Sequence, residues 1–312
     1  MTKVLFTGGG GAGTEALARL LSGQYDVHFA DSRQDIGAIT PAVKQSQQHN
    51  IPWASDQNYA TGIVDLIKQI EIDVFVPTVD EELAHIAEIQ ALLPDLKILA
   101  PEPHYIDRFM DKQSMAEHLA LKGLPNPDAY SLEELETLDF PVFAKPRLGR
   151  GSRGVQRLDS KEDVQAYLVL AKQPADAFVA QNWLVGTEYT VMMSADGDGN
   201  LCAIVPVRVD EKRGITIISE TVDDHVVSAV CEQIHQAYPA QGCYNIQLMK
   251  TDDSTVVPFE INPRVSTTLC MGIAAGIDPI DNYISGKKQE SLQSFKSGLV
   301  LHRYWLNHID EK

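Results

Sequence analysis

The segment VVPFEINPR, residues 256–264, sets a carboxylate and an amide two positions apart in a run whose β-branched start predicts a strand. Residues two apart on a strand project to one face, so Glu260 and Asn262 point together while Phe259 and Ile261 point the other way. Gln247, in NIQLMK, reaches that same face if the two runs pair around the intervening TDD. One carboxylate and two amide oxygens make an oxygen-rich set suited to Mg²⁺ beside substrate phosphates. Taken alone, the triplet reads first as an ordinary exposed hairpin face, ahead of a metal site. Arg264, just past the strand, would face whatever such a metal orients.

A second constellation lies upstream. AKPRLGRGSRGV, residues 144–155, places Lys145 at the end of an apolar strand. Gly149, Gly151 and Gly154 follow, interleaved with Arg147, Arg150 and Arg153. Glycines let backbone donors wrap around phosphates while basic side chains neutralise them. The order GxxxxGK[ST] is absent, so this is no P-loop. A solvated basic loop is the plain alternative, although such a loop is unusual on so acidic a chain. The two constellations together point to a magnesium nucleotide.

GGGGAG, residues 8–13, satisfies GxGxxG through Gly8, Gly10 and Gly13, with Asp31 at the end of the next strand. Three readings stand: a dinucleotide site, a substrate-side anion site, or a turn that needs glycine for steric reasons alone. A nicotinamide-dependent oxidoreductase built on this turn leaves the second half of the chain without a role.

The elements that must position these groups follow from periodicity. KVLFT (3–7), DVHFA (26–30), VFVPT (74–78) and KILAP (97–101) read as strands, separated by the helical stretches TEALARLLSG, YATGIVDLIKQI and EELAHIAEIQALL. Alternation of this kind implies a parallel sheet covered on both faces. After the helical DKQSMAEHLALKG and the proline pair of LPNP, the pattern changes. AFVAQNWL, GTEYTVMMS, GNLCAIVPVRV and ITIISETV are strands divided by turns such as DGDG, which predicts antiparallel sheet. One helix, near DDHVVSAVCEQIHQAY, precedes the Gln247 and Glu260 strands. MGIAAGIDPIDNYISGK reads as a glycine-interrupted helix and loop behind them.

Bulk properties narrow the class. A chain of 312 residues is long enough for about two domains. No apolar run approaches a membrane span, and MTKVLFTGG does not resemble a signal peptide. Cys202, Cys231, Cys243 and Cys270 show no CxxC spacing and suit a reduced, cytoplasmic setting. A formal charge of -17 opposes nucleic acid as a bulk partner. The histidines form no HxH or HExxH pattern, so a structural zinc is not expected.

Lys112 in FMDKQSMAEHLALKGLPNP, Lys145 in FAKPRLGRGSRGV, Glu188 in QNWLVGTEYTV, Gln247 in YNIQL and the EINPR run resemble the ATP-grasp ligase superfamily, in particular its carbamoyl-phosphate-synthetase-large-chain-like branch, here as a single grasp unit. The resemblance covers nearly the whole chain. It implies an α/β fold: a Rossmann-like parallel-sheet domain at 1–105, then an ATP-grasp domain at 106–312, with a smaller subdomain about 106–180 and a larger one about 181–312. It implies ATP and Mg²⁺, with Mn²⁺ as a substitute, and small-molecule carboxylate and amine substrates joined through an acyl phosphate. Lys112 and Lys145 would contact phosphates, under a mobile loop at 149–154 that includes Gly149, Gly151, Ser152 and Gly154. Gln181, Trp183 and Leu184 would line the adenine slot, and Glu188 would bind the ribose hydroxyls. Gln247, Glu260 and Asn262 would hold the metal, and Arg264 would stabilise the transferring phosphoryl group. Gln181 stands where many relatives carry glutamate, which bears on nucleotide preference.

Arg208, in VPVRVDEKRGIT, is read as a clamp for a substrate carboxylate, a phosphate contact or a surface arginine, with Arg213 a weaker candidate of the same kind. Asp80 and Glu81, at the end of VFVPT, either border the substrate region or cap a helix. A small-molecule kinase and a non-catalytic nucleotide-binding module share the same nucleotide site and stay open as alternatives. A homodimer is the base expectation for an enzyme of this size.

Overall fold

The protein is described by a computed structural model that covers residues 1–33, 42–133, 138–149, 151, 153–287 and 289–304. Among these residues three sheets carry the fold. The first is parallel and holds β1 (Lys3–Phe6), β2 (Asp26–Asp31), β3 (Gln48–Asn50), β4 (Val74–Val76) and β5 (Lys97–Ile98) in the order β3-β2-β1-β4-β5. β1 and β4 are apolar almost throughout because helices cover both faces. Tyr59–Ile70 packs Ile63, Val64 and Ile67 on one side, and Thr14–Leu20 brings Leu17 to the other. The short edge strand β3 escapes the periodicity reading, since QHN holds no apolar residue. EELAHIAEIQALL is not one helix. Asp80–His85 winds as a 3₁₀ helix and Ile86–Leu92 as an α-helix, and the first of these turns Glu82 into the interior.

The second sheet is antiparallel: β6 (Ala129–Ser131), β7 (Val142–Pro146), β8 (Gln156–Leu158) and β9 (Phe178–Asn182), in the order β6-β9-β7-β8. The helix Lys161–Ala171, capped by Ser160 through the Asp163 N–H, packs Val164 with Val142, Ala144 and Leu158.

Residues 183–186 lead to the third sheet, also antiparallel: β10 (Thr187–Ala195), β11 (Leu201–Arg213), β12 (Ile215–Thr221), β13 (Gly242–Lys250), β14 (Val256–Asn262) and β15 (Val300–His302), in the order β14-β13-β10-β11-β12-β15. β10 is central and covered on both faces. Tyr189, Val191 and Met193 join the core under the helix His225–Ala237. Met192, on the opposite face, joins a core shared with Phe6 and Phe29 of the first sheet and Leu269 and Met271 behind it. The glycine-interrupted stretch forms two short helices, Leu269–Ala274 and Pro279–Ile284. The first and third sheets are thus fused through one hydrophobic core, and the second sheet stands against the third across a cleft.

Candidate active site

Strand alternation decides which side chains enter that cleft, a cavity of about 500 Å³. β7 buries Val142 and Ala144 in its own core and turns Phe143 and Lys145 outward, while β9 presents Gln181 directly opposite Phe143. Trp183 and Leu184 extend this wall along the connection to β10. The Trp183 ring lies 5.3 Å from Phe143 between centroids and carries the Arg157 guanidinium at 5.0 Å. The facing wall comes from the third sheet. β13 and β14 pair with Gln247 opposite Glu260 and Asn245 opposite Asn262, and β10 contributes Glu188. The hairpin around TDD therefore brings Gln247, Glu260 and Asn262 to one cavity.

Lysines cross the cleft between the walls. Lys145 is 4% exposed, and its Nζ donates to the Phe259 carbonyl at 3.1 Å. Burial pushes its pKa down to about 7, with Lys112 and Lys212 acting in the same direction and Glu260 opposing them. Lys112 opens the helix Lys112–Leu121. Asp111 caps that helix through the Gln113 and Ser114 N–H groups and also pairs with Arg147 at 2.8 Å. Lys112 Nζ donates to the Gly149 carbonyl at 2.9 Å and lies 3.4 Å from Glu260 Oε1. Lys212 Nζ lies 2.5 Å from Glu188 Oε1 and 3.3 Å from Gln247 Oε1. The oxygens of Glu188, Gln247 and Glu260 are each turned toward a cation.

The donor set bears on what the cleft can hold. Gln181 is 2% exposed and its Nε2 has no hydrogen-bond partner in the protein. An orphaned buried amide costs about 1–3 kcal/mol. The edge of adenine, with a ring-nitrogen acceptor beside an amino donor, satisfies an amide of this kind. No cluster of three or more His, Cys, Asp or Glu with metal-binding geometry occurs among the described residues. The Glu260 carboxylate with two amide oxygens is the hard-donor set available. It suits Mg²⁺, which takes one or two carboxylates and completes its shell with phosphate oxygens and water.

The structure separates the remaining candidates. Gly149 and Gly151 line the cavity at φ +131° and +68° with open space where a Cβ would stand. Gly154 lies outside it, accepting from the Tyr167 hydroxyl at 2.6 Å and packed on Pro146. Ser152 and Arg150 fall outside the described residues. Arg208 is not brought to the cavity. It sits opposite Tyr189, on the other face of the sheet, donating to Asp210 at 2.7 Å and Glu220 at 2.6 Å. Those contacts, Asp210 first, raise its pKa. Arg213 pairs with Glu211. Lys212 was not singled out by the sequence pattern. The register irregularity between Val209 and Glu211, with Asp210 as the extra residue, sends its side chain to the cavity face, and the letters DEKR do not reveal a bulge.

A second cavity of about 470 Å³ adjoins the first and shares Gly151, Arg153, Lys212, Gln247 and Arg264 with it. Arg264 stands at the junction, donating through Nε to Asp80, through Nη1 to the Val265 carbonyl and through Nη2 to Asn262. The glycine turn lines the far side, and three of its amides are engaged internally. Gly9 donates to the Ala30 carbonyl, Gly10 to Asp31 and Gly11 to the Gly8 carbonyl. Gly8 has φ +60°, and a Cβ there would stand 2.6 Å from Thr78 Oγ1. Steric need accounts for this turn. Asp31 accepts from Gly10 and Arg33; burial raises its pKa, but these hydrogen bonds outweigh burial and hold it low. Its carboxylate is occupied where a dinucleotide ribose would need it.

Residues 175–304 match the family model described as ATP-grasp in the biosynthetic pathway with Ter operon. The chain is 23% identical over 289 residues to a D-alanine–D-alanine ligase of Corynebacterium efficiens, covering 85% of this chain and 77% of that protein. It is 26% identical over 194 residues to a carbamoyl phosphate synthase large chain of Clostridium botulinum, covering 56% of this chain but only 18% of that one. Among solved structures, the biotin carboxylase–beta-gamma-ATP complex from Campylobacter jejuni superposes with a TM-score of 0.74 at 16% identity, covering 96% of this chain and 74% of the other. The fold is that of the ATP-grasp proteins, and in sequence the chain is similar to ligases among them.

Proposed function

We propose that the chain is an ATP-dependent carboxylate–amine, or carboxylate–ammonia, ligase that works through an acyl phosphate and releases ADP and phosphate. The observation that carries this reading is the junction of the two cavities at Lys212, Gln247 and Arg264, which opens the phosphate end of a nucleotide-sized cleft onto a second compartment.

In this reading adenine lies against Phe143, Gln181, Trp183 and Leu184, and Glu188 takes the ribose hydroxyls. Lys112, Lys145, Gly149 and Gly151 hold the phosphates. Gln247, Glu260 and Asn262 would hold Mg²⁺, which when bound supplies charge neutralisation on the phosphate oxygens. An acid oxygen attacks the γ-phosphorus and the bond to the β–γ bridging oxygen breaks, with ADP leaving. Lys112, Lys145 and Arg264 offset the charge in transit. The amine nitrogen then attacks the acyl carbon. The C–O bond to phosphate breaks, phosphate leaves with the electron pair, and the nitrogen loses a proton. An amine that enters neutral needs no strong base. Arg208, ion-paired on the far face, takes no step.

The test is phosphate release from MgATP with carboxylates and amines, singly and in pairs, with product masses. ADP formed only with a pair, beside a condensed mass, supports the ligase. A phosphorylated acid that persists without amine product indicates a kinase on the same site. Replacing Mg²⁺ by Mn²⁺ in this assay tests the metal's exchangeability. No helix among the described residues is long and apolar enough to cross a membrane. The four buried free cysteines support a cytoplasmic setting as part of the same proposal, and a homodimer is checked by light scattering.

A further inference from the structure

Resting on the ligase reading above, we infer that the second cavity admits a carboxylic acid with no protonated amine beside its carboxyl group: a hydroxy, oxo or N-acylated acid rather than a free amino acid. Four cations line it, Arg153, Lys212, Arg213 and Arg264. Hydroxyls including those of Thr190, Thr216 and Ser266 stand among them, and no Asp or Glu belongs to the wall among the described residues. On a chain of net charge -17 that composition is selective.

Among the described residues, the carboxylates that come near are engaged. Asp31 accepts from Gly10 and Arg33, Asp80 holds Arg264, Glu188 holds Lys212 and Glu211 holds Arg213. Glu82, beneath the glycine turn, is 3% exposed and accepts from Thr7 and the Val79 N–H.

A substrate ammonium placed here would lose hydration and lie among cations, three of them already ion-paired, with no unengaged carboxylate among the described residues to receive it, and each of these costs free energy. A hydroxyl or carbonyl in the same position meets threonine and serine hydroxyls that donate or accept as needed. The cations suit the acid group itself. Phe6, Leu17 and Phe29 close the far end of the cavity, so the acid carries an apolar portion as well. The amine that completes the ligation arrives neutral and is not restricted by this argument.

The experiment uses the full chain with MgATP and hydroxylamine as a small nucleophile, reading ADP and the coloured iron–hydroxamate complex. Acids are offered as matched skeletons: lactate against alanine, 2-hydroxyglutarate against glutamate, phenyllactate against phenylalanine, each with its N-acetylated amino acid. The hydroxy or N-acetyl member is expected to exceed the amino member by at least about tenfold in kcat/KM, the discrimination expected of one unpaired charge. Hydroxamate formed preferentially from the amino member would overturn the inference and leave the ligase reading standing. ADP formation stimulated by an acid without hydroxamate would remove the ligase reading itself. Thermal-shift titration of the same pairs with ADP present reads the preference without turnover. Stabilisation by the hydroxy acids supports the inference, and stabilisation by the amino acids alone contradicts it.

Discussion

Lys145 is a buried amine whose pKa sits near 7 in the nucleotide-free chain because burial disfavours its charge. Phosphates placed beside it restore the charged form, so nucleotide binding above pH 7 should draw a proton from solvent. Calorimetry at pH 8 in buffers of different ionisation enthalpy should show uptake approaching one proton per nucleotide, lost in Lys145→Met; identical enthalpies in every buffer would contradict it. Glu260→Gln keeps the shape of the β14 side chain and removes its charge. Phosphoryl transfer in that variant should fall by about 10²-fold or more, the scale seen when a transition-state electrostatic contact is removed, with a higher Mg²⁺ requirement. An unchanged magnesium dependence would take Glu260 out of the metal site. At this scale the period-2 pattern of FEIN and its pairing with NIQL were legible, since strand alternation fixes a face without tertiary information. Lys212 was not legible, because one extra residue in β11, Asp210, reversed its face, and Arg208, chosen for its charge, lies on the side that the alternation of a regular strand assigns to Tyr189.

The elements carry the site by grading one strand from polar to apolar. Along one face of β10, Glu188 borders the first cavity, Thr190 the second, and Met192 the core shared with the first sheet. The start of β13 is equally constrained. Gly242 has φ +76°, and a Cβ there would meet the Ala100 backbone nitrogen at 2.9 Å. Gly242→Ala should therefore cost about 1–3 kcal/mol through strain and backbone displacement, read as a lower midpoint in denaturant with nucleotide affinity per folded molecule kept. A variant as stable as the parent would show that this approach is relaxed in solution. A related contact lies nearby, where Arg303 donates to the carbonyls of Ala12 and Thr267, joining the glycine turn to the loop after EINPR. Sequence periodicity found the long helices and the antiparallel strands. It missed β3 and the 3₁₀ turn at Asp80–His85, whose conformations are set by edge pairing and by the inward pull on Glu82.

For the whole molecule, fusion of the first and third sheets through one core makes the stability of the N-terminal sheet a condition for the site. Glu82 is buried beside the first sheet, and burial raises its pKa from 4.5 to about 7 against the opposing hydrogen bonds of Thr7 and Val79. The folded chain thus holds a proton that the unfolded chain releases between pH 4.5 and 7, so this group's contribution declines as pH rises through that window, by about 3 kcal/mol in all. Glu82→Gln should flatten the fall in melting temperature over that range, and a parallel fall in parent and variant would rule the assignment out. The fold class and the ATP-grasp resemblance were legible because several spaced motifs had to occur in one sequence. The compartment beyond Arg264 was not, since its lining comes from eight separate stretches of chain. The central claim is that the acid is phosphorylated before it is joined to the amine. A carboxylate substrate labelled with ¹⁸O in both oxygens, turned over with MgATP and amine, should deliver one ¹⁸O to the released phosphate, read by mass spectrometry. Phosphate free of the label, with the amide product formed, would contradict the acyl-phosphate route.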